Sequence, residues 1–342
     1  MAAVDWADGY NASYRLMEVD PATWADRTEI GYVTSFSVSR GSDGDLLESG
    51  RAEIGWSPQD VFAERWCRME VLAEQGGAVE RAAVATMLLA PTSGTRGAGY
   101  ESLSLEGRSV LSPASDERLP AGTYVPAGAD GAAYAANLLR SCIPAPVVVV
   151  GSFRLAEPMV FSQGTTKLGA VWMLLDAAGW TMRISGDGTV TISAPRTEPS
   201  LVLDRASASF ITGDVHDDAD RWAVPNRYVA TMDGETAVAV NEDPTDAFSH
   251  ARRGRWVDVE DDSPTLLAGE SLREYAERRL RAASTPARTC EWERSWHPDV
   301  TVGDVIRCDV AGLGLSDDLR VVSQSVRLGA MVAVTERAEV LR

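Results

Sequence analysis

The chain has 342 residues, 45% of them hydrophobic and 24% charged, and a net charge of −18. Its length exceeds one ordinary core and predicts roughly two to four domains of a folded, soluble protein. The excess of 50 acidic over 32 basic residues argues against a basic face that grips nucleic-acid phosphates.

No apolar run reaches the roughly 18 residues that span a bilayer. The longest, Pro144–Val150, suits a buried strand. The opening residues lack the basic and apolar regions of a secretory leader, so none is expected.

Residues 1–112 read as a first unit of short strands. Ile30–Arg40 alternates apolar and polar residues through Tyr32, Thr34, Phe36 and Val38, which predicts a half-buried antiparallel strand. Turn residues follow at Gly41–Asp45. Ser49–Trp56, Arg68–Ala73, Ala82–Ala90 and Gly99–Gly107 read as further strands, the middle two joined around Gly76 and Gly77. Strands at this spacing predict a small barrel or sandwich.

Residues 113–225 read as a middle α+β lobe. Gly131–Cys142 is a predicted helix, with Tyr134, Leu138 and Leu139 at helical spacing. Phe161–Gly179 is a second, capped by Thr165 or Thr166, with Leu168, Val171, Trp172 and Leu175 on one face and Gly179 ending it. Trp180–Ala194 is a predicted hairpin that turns through Asp187-Gly188. The acidic stretch Asp204–Asp220 is expected to be a solvated linker. Asp214, His216, Asp218 and Asp220 alternate there, but no turn glycine and distant Glu complete a calcium loop.

Residues 226–342 read as a C-terminal unit with one helix. Asn226–Ala239 is strand-like. Ser271–Ala283 is a helix opened by a capping box from Ser271 to Glu274. Strands continue to the end, across the turn Pro298–Val305 (PDVTVGDV).

Motifs for catalysis and metal binding do not appear. There is no G-x-S-x-G elbow and no H-E-x-x-H. Gly312, Gly314 and Leu315 lack the third glycine of a dinucleotide loop. Glu260-Asp261-Asp262 reads as a solvated charge run. Cys67, Cys142, Cys290 and Cys308 stand far apart, as do His216, His250 and His297, so a structural zinc site is not expected. Cys290 and Cys308 could face each other on adjacent strands. Among ten tryptophans, Trp6 and Trp24 are candidates to anchor an interface between subunits. No catalytic, cofactor-binding or metal residue is assigned.

Three stretches carry a family resemblance. They are Val33–Ile54 with Leu105–Pro113, the helix followed by the Gly179–Ile192 hairpin, and the C-terminal helix, Pro298–Val305 turn and closing hairpin. In pattern and order the chain resembles phage tail baseplate hub proteins. The resemblance implies a mainly β protein with α+β lobes: two tail-tube-like β-barrel domains plus smaller inserted α/β lobes, assembled as a ring. It implies a non-enzymatic homotrimer at the tail tip or baseplate of a virion, made in the host cytoplasm. The implied partners are the tail tube or distal tail ring, the tape measure protein, and a tip spike or fibre. DNA would pass through the channel without specific binding, and no segment would span a membrane. A tail-tip cell-wall hydrolase or peptidase and a carbohydrate-binding β-protein are the alternatives.

Overall fold

Alternating apolar residues organise the first third of the chain into seven strands. The computed structural model describes residues 4–6, 9–31, 33–42, 44, 46–55, 63–97, 100–204, 212–219, 221–267, 269–284, 288–310, 315–329 and 332–341. The strands are β1 (Asn11–Val19), β2 (Asp26–Glu29), β3 (Val33–Gly41), β4 (Glu48–Gly55), β5 (Arg65–Gln75), β6 (Ala78–Gly97) and β7 (Tyr100–Arg108). Phe36 and Val38 of β3 share one face and are buried, as residues two apart must be on a pleated strand. Leu103 and Leu105 of β7 do the same. Pro91 stands at a register shift between β6 and β7, where a strand tolerates the missing N–H.

A middle lobe follows: α1 (Ser112–Asp116), β8 (Tyr124–Val125), α2 (Gly131–Arg140), β9 (Val147–Val150), β10 (Met159–Val160), α3 (Lys167–Ala178), β11 (Thr181–Ile184) and β12 (Val190–Ser193). Helix α2 is capped by Asp130, whose carboxylate accepts from the N–H of Ala133. Thr166 caps α3, and Gly179 ends it in the left-handed conformation that a side chain disfavours. The predicted helix began at Phe161; it begins at Lys167 because Thr166 is extended and takes the capping position. Leu168, Val171 and Leu175 are buried as predicted, with Leu174 beside them and Trp172 half-buried. Strands β11 and β12 form the expected hairpin, and β9 joins β12 in parallel.

The remaining elements are β13 (Pro199–Leu203), β14 (Thr212–Ala219), β15 (Arg227–Met232), β16 (Glu235–Val240), α4 (His250–Arg253), β17 (Asp258–Asp261), α5 (Leu272–Ala283), β18 (Arg288–Ser295), β19 (Val305–Val310), β20 (Leu315–Arg327) and β21 (Ala333–Val340). Two findings differ from the sequence reading. The expected linker 204–220 contains β14, which pairs with β18 at the sheet edge. Polar residues are tolerated on an edge, where one rim of the strand stays solvated. Residues 205–211 and 220 lie outside the described residues. The strands and helices of 226–284 also do not join the sheet of the final strands. They make a separate lobe of order β16-β15-β17 with α5 packed on it, around Tyr228, Ala230, Tyr275, Ala276 and Leu280. Helix α5 opens with the predicted capping box: Ser271 Oγ accepts from Glu274 N–H, and Glu274 accepts from Ser271 N–H at 2.8 Å.

The protein is mainly β. Among the described residues the large sheet has 13 strands, with the path β14-β18-β21-β20-β3-β4-β7-β6-β5-β1-β2, while β19 adds to β20 and β13 to β19. The path ends at β14 and β2 and does not close into a barrel among the described strands.

Candidate functional site

Strand β20 joins the two halves of the sheet. Along one edge, Leu315–Arg320 pairs with β19, and Ser323–Arg327 pairs with β3. A register shift between Val321 and Ser323 marks the handover. The carbonyl of Val321 accepts from Gly303 N–H and that of Val322 from Ser42 N–H, so the bulged backbone stays satisfied.

Buried polar residues run across this seam in register. Trp292 opposes Glu336, Glu336 opposes Gln324, Gln324 opposes Arg40, and Arg40 opposes Glu48. All five are buried. Glu336 is the anchor on the C-terminal side. It accepts from Arg294 Nε and Nη2, both at 2.6 Å, from Gln324 Nε2 at 2.7 Å and from Trp292 Nε1 at 3.2 Å. Four donors on one carboxylate offset much of the cost of burying it. On the N-terminal side Arg40 Nε meets Glu48 Oε2 at 3.3 Å, and its Nη2 donates to the Val84 carbonyl. Burial pushes Glu48 up to about 7 against the pull of Arg40.

Apolar residues cross the seam too. Val326, Val332, Val334 and Trp296 pack into the core of the first unit with Phe36 and Met69. Trp6 is buried against Tyr10 and Trp296, with ring centroids at 5.1 and 5.7 Å, and its Nε1 donates to Glu80. Trp24 packs on Trp66 and donates to the Asp187 carbonyl at 2.8 Å. Both tryptophans therefore join parts of one chain, rather than presenting free anchors as expected. Sequence reading missed this because their partners are remote in the chain.

The middle lobe is fixed to both halves. The tip of its hairpin sits on β6, where Thr86 Oγ1 donates to the Gly186 carbonyl at 2.9 Å. A Cβ on Gly186 would lie 1.8 Å from the Ala83 oxygen, so only glycine allows the approach. On the other side Asp304 is buried and takes Arg183 together with Arg196 at 3.1 Å. Burial raises its pKa against both guanidinium groups. Asp304 belongs to the Pro298–Val305 turn on which the sequence resemblance drew. In this fold that turn ties the last strands to the middle lobe.

The residues considered for chemistry are dispersed. His216 is exposed on β14, His250 stacks on Trp256 at 3.9 Å, and His297 accepts from Asp299 N–H. Burial lowers the pKa of His297. Cys290 and Cys308 are buried in one core cluster, but their strands are not neighbours, since β21 and β20 lie between them. Gly312 and Gly314 lie outside the described residues. Among the described residues no three His, Cys, Asp or Glu side chains gather as a metal site. The charge run 260–262 is not wholly solvated: Asp261 accepts from Tyr275 Oη at 2.7 Å and Tyr228 Oη at 2.8 Å.

No family model matches the chain, and no curated protein matches it. Solved structures do. The tail protein from Neisseria meningitidis MC58 superposes with a TM-score of 0.68 at 17% identity, covering 97% of each chain. The 43 kDa tail protein of prophage MuSo2 from Shewanella oneidensis gives 0.66 at 12% identity, over 96% of this chain and 98% of that one. The chain has the fold of phage tail proteins. Prophage tail protein gp18 from Listeria monocytogenes EGD-e extends the likeness, with a TM-score of 0.54 at 11% identity over 95% and 94% of the two chains. The tail fold thus spans nearly the whole chain, as the sequence resemblance implied. No helix among the described residues is long and apolar enough to cross a membrane.

Proposed function

We propose that this chain is a structural hub of a phage or phage-like tail, working as a homotrimeric ring that joins the tail tube to the distal tip. The observation that carries the reading is the β3–β20 seam. It joins two strand-rich halves edge to edge and leaves β14 and β2 as the ends of the path. Three copies arranged head to tail would present six such halves, each rolled as a barrel domain, around one channel. Such heterologous contacts close into a ring only if the rotation between copies allows it.

The domain limits are read as 1–112, 113–225 and 226–342, the last holding both the 226–284 lobe and the final strands, with the small lobes set around the barrels and able to touch a neighbouring copy. The partners in this reading are the tail tube or distal tail ring, the tape measure protein and a tip spike or fibre. The chain acts in the virion after synthesis in the host cytoplasm. Its role is architectural, not enzymatic.

The net charge of −18 supports a channel wall that DNA passes without sticking. Repulsion between carboxylates and phosphates would act within a Debye length of about 8 Å at physiological salt.

The test is the mass of the purified chain in solution, followed by reconstruction of the particle. A trimer forming a ring with carboxylates on the channel wall is expected. A chain that stays monomeric at all concentrations and is absent from the tail would sink the reading.

A further inference from the structure

The lobe that holds β15, β16, β17 and α5 carries an unusual group of cations. Around α4 the sequence reads HARRGRW, in a chain whose net charge is −18. Four arginines of this lobe are ion-paired: Arg227 with Asp258, Arg273 with Glu277, Arg278 with Glu270 and Arg279 with Asp176. Arg221, Arg252, Arg253 and Arg255 have no carboxylate within ion-pair distance among the described residues.

Two of these arginines, Arg253 and Arg255, are held in place by neutral groups. Arg253 donates to the carbonyls of Val224 and Arg221, and its guanidinium lies over the Phe248 ring at 5.0 Å. Arg255 donates to the Trp222 carbonyl at 2.9 Å and lies over the Trp222 ring at 5.4 Å. Carbonyls and rings orient a cation without neutralising it. Burial, and then the charge of Arg255, lowers the pKa of Arg253, while the Asp246 carboxylate pulls the other way from beyond ion-pair distance. Trp222 itself is 79% exposed. A largely exposed tryptophan beside a pre-oriented guanidinium group has the composition of an interface hot spot. Its fixed geometry reduces the ordering cost of binding.

We propose that Trp222, Arg252, Arg253 and Arg255 dock on a carboxylate-rich face of a second copy of this chain. The partner follows from charge. Each copy carries 50 acidic against 32 basic side chains, so a neighbouring copy offers carboxylates on its surface. A nucleic acid would meet repulsion from the rest of the molecule as soon as it extended beyond the patch. A neutral glycan needs acceptors as well as donors, and guanidinium groups supply donors only. The contact is heterologous, basic patch to acidic patch, the kind that repeats around a closed ring. The proposal rests on the trimeric reading above and assigns one of its contacts.

The experiment is sedimentation equilibrium of the full chain at low and at molar salt, with wild type, Arg252→Glu/Arg255→Glu and Trp222→Ala. The substituted positions are on the surface, and circular dichroism checks each fold. Self-association of the wild type should weaken in salt, and the charge-reversed variant should associate at least about tenfold more weakly, as expected when close charge pairs are lost. Hydrogen exchange of the associated wild type should show protection at residues 248–256. A charge-reversed variant that trimerises like wild type would overturn this inference and leave the hub reading standing. A wild type that is monomeric throughout would overturn both. Binding of a duplex DNA probe that is lost on charge reversal, with self-association unchanged, would assign the patch to nucleic acid instead.

Discussion

Gln324 of β20 and Arg40 of β3 stand opposite each other across the seam, both buried, at 2% and 7% exposure. They are the meeting point of two ionic pairs, Arg294–Glu336 on one side and Arg40–Glu48 on the other. The line crosses five strands and ties both halves of the sheet to one register. A slip of one residue would turn every one of these polar groups to the wrong face.

Removing Glu336 leaves Arg294 buried without its carboxylate. Glu336→Ala should therefore cost roughly 3–5 kcal/mol, read as a lower denaturant midpoint. Replacing the pair together, Arg294→Met with Glu336→Leu, should cost clearly less. Equal losses for the two variants would mean that packing, not charge, dominates there.

Glu48 gives stability a pH dependence of known sign. Its pKa is raised from 4.5 to about 7 in the folded chain. The folded state then holds the proton more tightly than the unfolded state. Its contribution is fully present below about 4.5 and is lost as pH rises through about 7. Measured across that window, the stability difference between wild type and Glu48→Gln should shift against wild type as pH rises. A difference that does not change with pH would show that Glu48 is ionised throughout.

Gly186 should not tolerate a methyl group. Gly186→Ala places a Cβ 1.8 Å from the Ala83 oxygen and should destabilise the chain by roughly 1–3 kcal/mol, through overpacking. Gly41→Ala is the control, since its Cβ meets nothing within 4 Å. Thermal melts of the two variants should separate clearly.

Ser271→Ala should cost roughly 0.5–2 kcal/mol by removing one half of the capping box. The loss should be local to the lobe of β15–β17 and α5, with hydrogen exchange fastest at the start of α5. Unchanged exchange there would count against the cap.

The thiols should differ sharply in reactivity. Burial pushes Cys67 up to about 12 and Cys308 up to about 11, whereas Cys142 is only half-buried. Alkylation of the native chain near neutral pH should mark Cys142 first and spare Cys67, Cys290 and Cys308 until unfolding. Early labelling of Cys308 would contradict its burial.

Local structure was legible where local rules decide it. Thr166, Gly179, Ser271 with Glu274, and Asp187-Gly188 act within a few residues, and each took its predicted place. Long-range pairing was not. Nothing near Val33–Gly41 names β20 as its partner, and β14 reads as solvated acid until its pairing with β18 is known. One signal of it does lie in the sequence. Arg40 continues the buried phase of Phe36 and Val38, and Glu336 shares the phase of Val334 and Ala338. A charge in an apolar phase marks a buried pair, although it does not name the partner. The cation group around α4 is likewise visible as HARRGRW, but which of its arginines meet a carboxylate is set by the fold of the lobe.

The β3–β20 seam also sets a timetable for synthesis. Strand β3 emerges early, yet its partner lies near the other end of the chain. At translation rates of roughly 5–20 residues per second, the rim of β3 waits on the order of tens of seconds. During that interval it is an unpaired template for other nascent chains. Trp6 and Tyr10 wait as well, because Trp296 completes their packing. The N-terminal half is thus born unfinished, and strands made about 280 residues later are the ones that seal it.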